Sequence, residues 1–432
     1  VVAVAERRLA PDEDPRAPDE AERALDLVGL VGIEDPPRAT AESEIAALRR
    51  AGVRVAMVTG DHAATARTIA REVGLLGPAG LVLEGADLPQ DEARLAALVD
   101  HDGLVVSRAS PEDKLRIALA LRARGHVVAM TGDGVNDGPA LQAADVGVAM
   151  GRTGTDVARE AADLVLLDDD ISTIVVAVEH GRATYANVRR FLTYHLTDNV
   201  AEVTPFLVWA LSGGAFPLAL GVLQILALDI GTDTLSAVAL GAQPPERGQL
   251  DRPPQTRRLL DGRVATRAFG VLGPTEAIVS MTAFLTGFAT VGWRPGEPFP
   301  TGAELASASG AAFAAVVIGQ AANVFACRSE HRRAGAVARR GSLFLAVGSA
   351  VALLLGALFL FVPPIAAVLS HAPPPLAAFG VALLAAPAVL AADALEKALH
   401  ARYERRVRAS PRAKTRATST HAWPARWQTP ST

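Results

Sequence analysis

Beyond Phe191 the chain is a succession of apolar stretches, each near the length of a bilayer crossing and separated from the next by a short polar loop. A helix needs roughly 20 apolar residues to cross the hydrocarbon. Backbone groups there find no water, so an uninterrupted apolar run is satisfied best as a helix. Spans are expected at about 191–211, 217–240, 264–291, 305–327, 342–362 and 375–398. The loops at 243–263 and 328–341, and the chain after His400, are crowded with Arg, whereas 212–216, 292–304 and 363–374 hold only Arg294. Lys- and Arg-rich loops stay on the cytoplasmic side. Six spans then return both ends of the membrane region to that side.

The expected organisation is therefore a soluble domain over 1–172, a stalk and all-α six-span domain over 173–400, and a basic cytoplasmic tail over 401–432. The tail carries Arg402, Arg405, Arg406, Arg408, Arg412, Lys414 and Arg416. It reads as disordered, suited equally to anionic lipid and to plain solvation. Half of the residues are hydrophobic, which is high for a soluble enzyme, and the net charge of −4 gives no reason to expect nucleic acid. A single cysteine, Cys327, excludes an internal disulfide framework. It reads as a small residue at the end of a membrane helix. The chain starts at Val1 without a signal-peptide pattern, which suits a chain cut from a longer one.

Residues 1–190 alternate short apolar runs with helical patterns. Val1–Ala5 and Leu27–Ile33 read as strands, the first of them buried. Strands are also expected at Val53–Val58, Leu104–Ser107, Val127–Met130, Val146–Met150 and Leu164–Leu167. Helices are expected at Thr40–Ala51, Ala63–Val73, Lys114–Arg124 and Gly138–Ala144. Such alternation implies a Rossmann-like parallel sheet wrapped by helices, with its chemistry beyond the carboxyl ends of the strands. Two TGD triplets fall there.

The second triplet opens Thr131-Gly-Asp-Gly-Val-Asn-Asp137. Its glycines permit a tight bend, and Asp133 and Asp137 are expected to face one point. Hard oxygens on a tight loop suit Mg²⁺ beside phosphate oxygens. The bland alternative is a polar turn with a helix cap at Asn136 or Asp137. The first triplet, Thr59-Gly60-Asp61, begins a helix whose backbone N–H groups can hold a phosphate, with the Thr59 hydroxyl in support. Lys114 is one of three lysines among 42 basic residues. A lysine kept where arginine is the default suggests a compact ammonium against a phosphoryl group, with a solvated helix lysine as the alternative. Arg108 is placed to pair with nucleotide phosphate or with a surface carboxylate.

A second constellation lies in the apolar half. Thr173–Leu211 has no proline before Pro205 and reads as one long helix, a plausible lever between the two halves. Asp198, Asn199 and Glu202 share one of its faces, and the next span carries Asp229, Thr232 and Asp233 at i, i+3, i+4. Four carboxylates in two apolar helices are too costly to leave unpaired in lipid, and such oxygen clusters coordinate cations. Interhelical hydrogen bonding that only fixes packing is the alternative. Gln320 and Asn323 could add neutral oxygens or only pack. Glu276 is a lone intramembrane acid without an assigned role.

VAMVTGD, SRASPEDK, AMTGDGVNDGPAL and DVGVAMGRTGTDVAREAADLVLLDDDISTI resemble the phosphorylation domain of P-type ATPases, a haloacid-dehalogenase-like fold. Asp35-Pro36-Pro37-Arg38 looks like that family's DPPR turn, and DRPP at Asp251–Pro254 fits a cytoplasmic loop. NVAEVTPFL and LDIGTDTLSAVALG resemble its ion-binding fifth and sixth spans. The resemblance implies an ATP-driven cation pump in a membrane, here a bacterial plasma membrane, with ATP and Mg²⁺ as cofactors. Asp133 would ligand Mg²⁺ with Asp137 close by, and Thr59, Gly60 and Asp61 would hold the phosphate region. Lys114 would contact the phosphoryl group, and Arg108 and Asn136 the nucleotide. Asn199, Glu202, Asp229, Thr232 and Asp233 would hold the transported cation, with Asp198, Gln320 and Asn323 as further candidates. Na⁺, K⁺, Ca²⁺ and H⁺ all stay open, although the Asp–X–X–Thr–Asp form looks closer to sodium–potassium and proton–potassium pumps.

One departure is large. No DKTGT motif supplies the nucleophilic aspartate, and the nucleotide-binding domain, actuator domain and first four spans of the family are missing. In the family these precede residue 1, so the chain is expected to be a C-terminal part that neither forms a phosphoenzyme nor turns over ATP alone. Its partner would be the N-terminal part of the pump. The competing expectations are a membrane-anchored haloacid-dehalogenase-like phosphatase and a non-catalytic membrane protein derived from a pump.

Overall fold

The computed structural model describes residues 2–9, 22–32, 36–77, 80–246, 258–330 and 343–409, with a few isolated positions between them. Asp35, Arg252, Pro253, most of the 328–341 loop and the tail from Ser410 lie outside the described residues. The chain forms two compact units, one mainly Val1–Ala177 and the other Val178–Gln249 with Pro254–Thr432.

In the first unit, β1 (Val2–Glu6) pairs antiparallel with β2 (Asp26–Val31). β1 was expected to be buried, but Val2 is 52% and Leu30 of its partner 68% exposed. The run is apolar enough for a core strand, yet burial also needs a covering layer, and all of β1 lies open. The remaining strands are β3 (Met57–Val58), β4 (Val82–Glu84), β5 (Val105–Ser107), β6 (Ala129–Gly132), β7 (Val146–Met150) and β8 (Leu164–Leu166). They form two parallel three-stranded sheets, ordered β3-β5-β4 and β6-β7-β8, instead of one continuous sheet. β3 and β6 are therefore both edge strands, and each leads into a TGD triplet.

The helices are α1 (Ala41–Arg50), α2 (Ala63–Glu72), α3 (Glu92–Val99), α4 (Pro111–Ala123), α5 (Gly138–Ala143) and α6 (Asp156–Ala161). α1 carries Glu42 and Glu44 in its first turn and Arg49 and Arg50 in its last, matching the helix dipole. α4 starts at a capping box: the Ser110 hydroxyl accepts from Asp113 N, the Asp113 carboxylate accepts from Ser110 N, and Pro111 follows. Around the first parallel sheet, Leu95, Leu104, Val105 and Val106 are fully buried. This places the ends of β3 and β5 firmly.

The second unit begins in α7 (Ile171–Leu211), a 41-residue helix that passes through Pro205 without ending. Then come α8 (Val222–Gly241) and α9 (Gly262–Thr290), each with a π-helical stretch, at Ala227–Asp233 and Thr266–Leu272. α10 (Ala303–Cys327), α11 (Leu343–Phe361), α12 (Pro363–Val368), α13 (Leu376–Leu383) and α14 (Ala385–Ala409) complete it. Among the described residues, five helices are long and apolar enough to cross a membrane: α8, α9, α10, α11 and the α13–α14 run Leu376–Tyr403. The sixth expected span, 191–211, is the C-terminal half of α7, where His195, Asp198, Asn199 and Glu202 interrupt the apolar run. α14 stays helical to Ala409, past the point where a disordered tail was expected.

α10 is the centre of this unit. Its most apolar window is 89% buried, against 28–44% for the other four spans. Small residues make that possible, because they let backbones approach closely. A methyl at Gly287 of α9 would stand 2.8 Å from Ala308 Cα, so α9 and α10 touch there almost backbone to backbone.

At the turn after α3, Asp100 gathers Arg54, Arg124 Nε at 2.6 Å and His126 Nε2 at 3.0 Å. Burial alone would raise its carboxyl. The hydrogen bonds from Arg124, His126 and Arg54 outweigh that and hold it at about 2, below the ordinary 3.8. A depressed acid stabilises the fold above its ordinary value, and this contribution vanishes as pH falls from about 4 to about 2. Thermal melts of the whole chain in detergent should lose stability through that window, and Asp100→Asn should flatten the loss. Identical acid dependence in both chains would refute the assignment.

Candidate functional site

In the soluble unit the site grows from the ends of β3, β5 and β6. β3 runs into Thr59, whose amide donates to Val106 O of β5. Two further backbone bonds clamp the first triplet to the loop after β5: Arg108 N to Asp61 O at 2.9 Å and Ala109 N to Thr59 O at 2.9 Å. The Thr59 hydroxyl donates to Asp61 Oδ2 at 3.0 Å and accepts from Asp61 N at 3.1 Å, and Gly60 has open space around it. His62 does not cap α2 through its side chain, so the first N–H groups of that helix lie beside the loop as an anion-binding end. Arg108 takes a left-handed backbone at φ 48°. Its guanidinium reaches His62 Nδ1 at 2.9 Å and Glu84 at 3.9 Å.

Ser110 immediately follows and starts α4, which carries Lys114. Lys114 Nζ donates to Asp137 Oδ1 at 2.6 Å, with side chains only 17% and 8% exposed. The other oxygen of Asp137 accepts from Asp133 N and Gly134 N, both at 3.2 Å. Asp137 is thus the buried acceptor that folds the loop on itself. Gly132 is required here, since any Cβ would collide with the Asp137 side chain. Asp133 points outward from this fold and is exposed, as is Asn136, and Thr155 N holds the Asp133 carbonyl at 2.8 Å.

The expectation that Asp133 and Asp137 face one point needs correction. Asp137's carboxylate is committed to Lys114 and two amides, and Asp133's takes no hydrogen bond among the described residues. Nor does a direct bond join the two TGD triplets; they are linked through Arg108–Ala109, α4 and Lys114. An uncommitted carboxylate at the carboxyl end of a parallel strand fits a hard cation such as Mg²⁺.

In the second unit the acids of α7 and α8 meet α10. Asp198, Glu202, Thr232 and Asp233 are each 2% exposed. Asn323 Nδ2 donates to Asp198 Oδ1 at 2.7 Å, and Gln320 Nε2 donates to Glu202 Oε1 at 3.0 Å. Thr232 Oγ1 donates to Gln320 Oε1 at 3.1 Å, so one amide joins α7, α8 and α10. Asp233 Oδ2 meets His195 Nδ1 at 2.9 Å. Asp198 Oδ2 and Asp233 Oδ1 are buried without a partner. Asn199 and Asp229 are only half-buried. As they stand, no three acidic, His or Cys side chains among the described residues converge into a metal-binding group.

Sequence reading missed His195, although it lies three residues before Asp198 on the same face. It also missed a buried ionic knot. Arg267 of α9 binds Asp393 and, at 2.5 Å, Glu396 of α14, while Lys397 reaches Asp393 and Ala326 O at 2.8 and 2.9 Å. The i,i+4 pair Asp393/Lys397 inside an apolar run was the available signal.

Comparison with known proteins places two family descriptions on the chain. "Haloacid dehalogenase-like hydrolase" matches residues 4–145, and "Cation transporting ATPase, C-terminus" matches residues 217–399. The calcium-transporting ATPase of Bacillus subtilis (strain 168) is 42% identical over 329 residues, 76% of this chain and 36% of that protein. The probable cation-transporting ATPase F of Mycobacterium tuberculosis (strain ATCC 25618 / H37Rv) is 43% identical over 317 residues, 72% of this chain and 34% of that protein. The sodium/potassium-transporting ATPase subunit alpha-4 of Homo sapiens is 37% identical over 300 residues, 63% of this chain and 29% of that protein. The chain spans about a third of the length of the curated relatives it matches. With its apolar helices, this kinship marks an integral membrane protein.

Removing one partner of a mostly buried pair strands the other charge. Lys114→Met is expected to destabilise the chain by about 1–3 kcal/mol. Adding Asp137→Asn should cost much less than a second independent loss, because the unpaired charge is gone. Denaturant unfolding of the two single variants and the double variant measures this; strict additivity would refute it.

Proposed function

The chain belongs to the P-type cation-transporting ATPases and matches their C-terminal part, and from that premise we propose that it supplies the Mg²⁺–phosphoryl loop and most of the membrane cation site of an ATP-driven pump. The observation that carries this reading is in the membrane unit. Asp198, Glu202 and Asp233 are buried together, and Asp198 and Asp233 each keep one oxygen without a donor. Acids left so in an apolar environment are costly, and a cation offsets that cost. Thr232, Asn199 and Asp229 would add oxygens, with the Gln320 and Asn323 amides holding the carboxylates in place.

In the soluble unit, Asp133 with Asp137 behind it would hold Mg²⁺. When bound, the ion neutralises charge developing on the phosphoryl oxygens. The start of α2 with Thr59, Gly60 and Asp61 would hold phosphate, Lys114 would stand against the phosphoryl group, and Arg108 and Asn136 would meet the nucleotide of ATP. The N-terminal part of the pump, bearing the DKTGT aspartate, would be the partner. Two edge strands that each end in a TGD triplet support this, because an open edge accepts a further strand. The C-terminal half of α7 would be the sixth span, with the Arg-rich loops, the soluble unit and the tail on the cytoplasmic side of a bacterial plasma membrane.

Relatives named for calcium and for sodium/potassium leave the cation itself to transport assays with Na⁺, K⁺, Ca²⁺ and H⁺. In a pump reassembled with its N-terminal part, Glu202→Gln and Asp233→Asn should each abolish cation-dependent phosphorylation or dephosphorylation. Unchanged ion dependence in both variants would sink the site. The chain alone, given radiolabelled ATP and Mg²⁺, should form no acyl-phosphate.

A further inference from the structure

Glu276 sits on α9 in the interior of the membrane unit and is 0% exposed. Neither of its carboxyl oxygens has a hydrogen-bond partner. Opposite stands Gly319 of α10, beside Gln320, and a methyl at Gly319 would fall 2.6 Å from Glu276 Oε1. The acid is therefore pressed against the backbone of the central helix, one residue from the amide that holds Glu202.

The groups around it offer no compensation. Its charge is felt by Glu202 and Asp233, by Asp198 and by the Tyr194 hydroxyl. From α10, the Gln320 amide is committed to Glu202 and the Asn323 amide to Asp198. His195 is turned to Asp233. Arg267, on the same span as Glu276, is bound to Asp393 and Glu396 of α14, and Lys397 also ends on Asp393. α13, the other helix packed on α9, has no titratable side chain. An ionised carboxylate here would face three acids with no donor, whereas a proton satisfies it at once. Glu276 is also not part of a converging metal-binding group.

We propose that Glu276 is a proton-binding site of the membrane unit, holding a proton while the acid cluster is empty and releasing it when a cation enters. In the exchange the O–H bond of the carboxylic acid breaks, the electron pair stays on the carboxylate, and the proton leaves to water. The arriving cation replaces its charge. The exchange half rests on the cation-site reading above; the proton half does not.

The test uses the whole chain in lipid bilayers and infrared difference spectroscopy at neutral pH. The wild-type minus Glu276→Gln spectrum should contain a protonated-carboxyl C=O band that shifts on deuteration. Gln is close in size to the neutral acid, so the variant should fold. Gly319→Ala should displace the same band by crowding Oε1. Absence of the band, or its indifference to Gly319→Ala, overturns the proton site. Titration with NaCl, KCl and CaCl₂ should bleach the band with at least one salt. A band that persists while the bands lost in Glu202→Gln and Asp233→Asn respond overturns the exchange. If those bands stay silent too, the cation-site reading fails, and the proton site stands on the difference band.

Discussion

Two amides on one helix set the terms for the membrane unit. Gln320 and Asn323 sit on the most buried span and donate to Glu202 and Asp198 of α7. Without those donors, each carboxylate would be a buried acceptor with nothing to accept from, which is among the costliest arrangements an apolar interior can contain. The amides answer only one oxygen of Asp198, and Asp233 likewise keeps one oxygen free beside His195. That partial satisfaction is the physical difference between a packing device and a site. A fully bonded set would only rigidify; this one retains capacity for a ligand.

The small residues of α10 are the precondition. Ala and Gly along its length let α9 and α11 come close, as at Gly287 against Ala308 and Gly356 against Val317. Close approach carries Gln320 and Asn323 into reach of α7 and leaves Glu276 no room to swing away from Gly319. The π-helical stretch at Ala227–Asp233 contributes in the same way, since its wider turns fall on the segment carrying Asp229, Thr232 and Asp233.

The soluble unit solves a similar problem differently. There the buried acid, Asp137, is fully committed: Lys114 takes one oxygen and two backbone amides take the other. Asp137 builds the loop and thereby frees Asp133 to face outward. The rare lysine was legible as meaningful in the sequence; its partner was not. Lys114 and Asp137 are separated by a helix and a strand, and only the packing of α4 against the loop brings them together. The parallel pairing of strands was legible from their alternation with helices, while the split into two sheets was not, because hydrogen-bond partners of β3 and β6 are a matter of tertiary arrangement. The exposure of β1 was misread for the same reason: apolar composition makes a strand, but a covering layer makes it buried.

The sequence by itself determined the family through TGDGVND and its companion motifs, the length of the spans, and the positions of the acids along α7 and α8. Those are local properties, written in residue order and helical spacing. The tertiary structure alone decided which acids are paired. It assigned Asn323 to Asp198, Gln320 to Glu202 and His195 to Asp233, bound Arg267 to Asp393 and Glu396, and left Glu276 with no partner. The reason is that spacing fixes which face of a helix a side chain occupies, whereas a hydrogen bond depends on which other helix comes within three ångströms of that face.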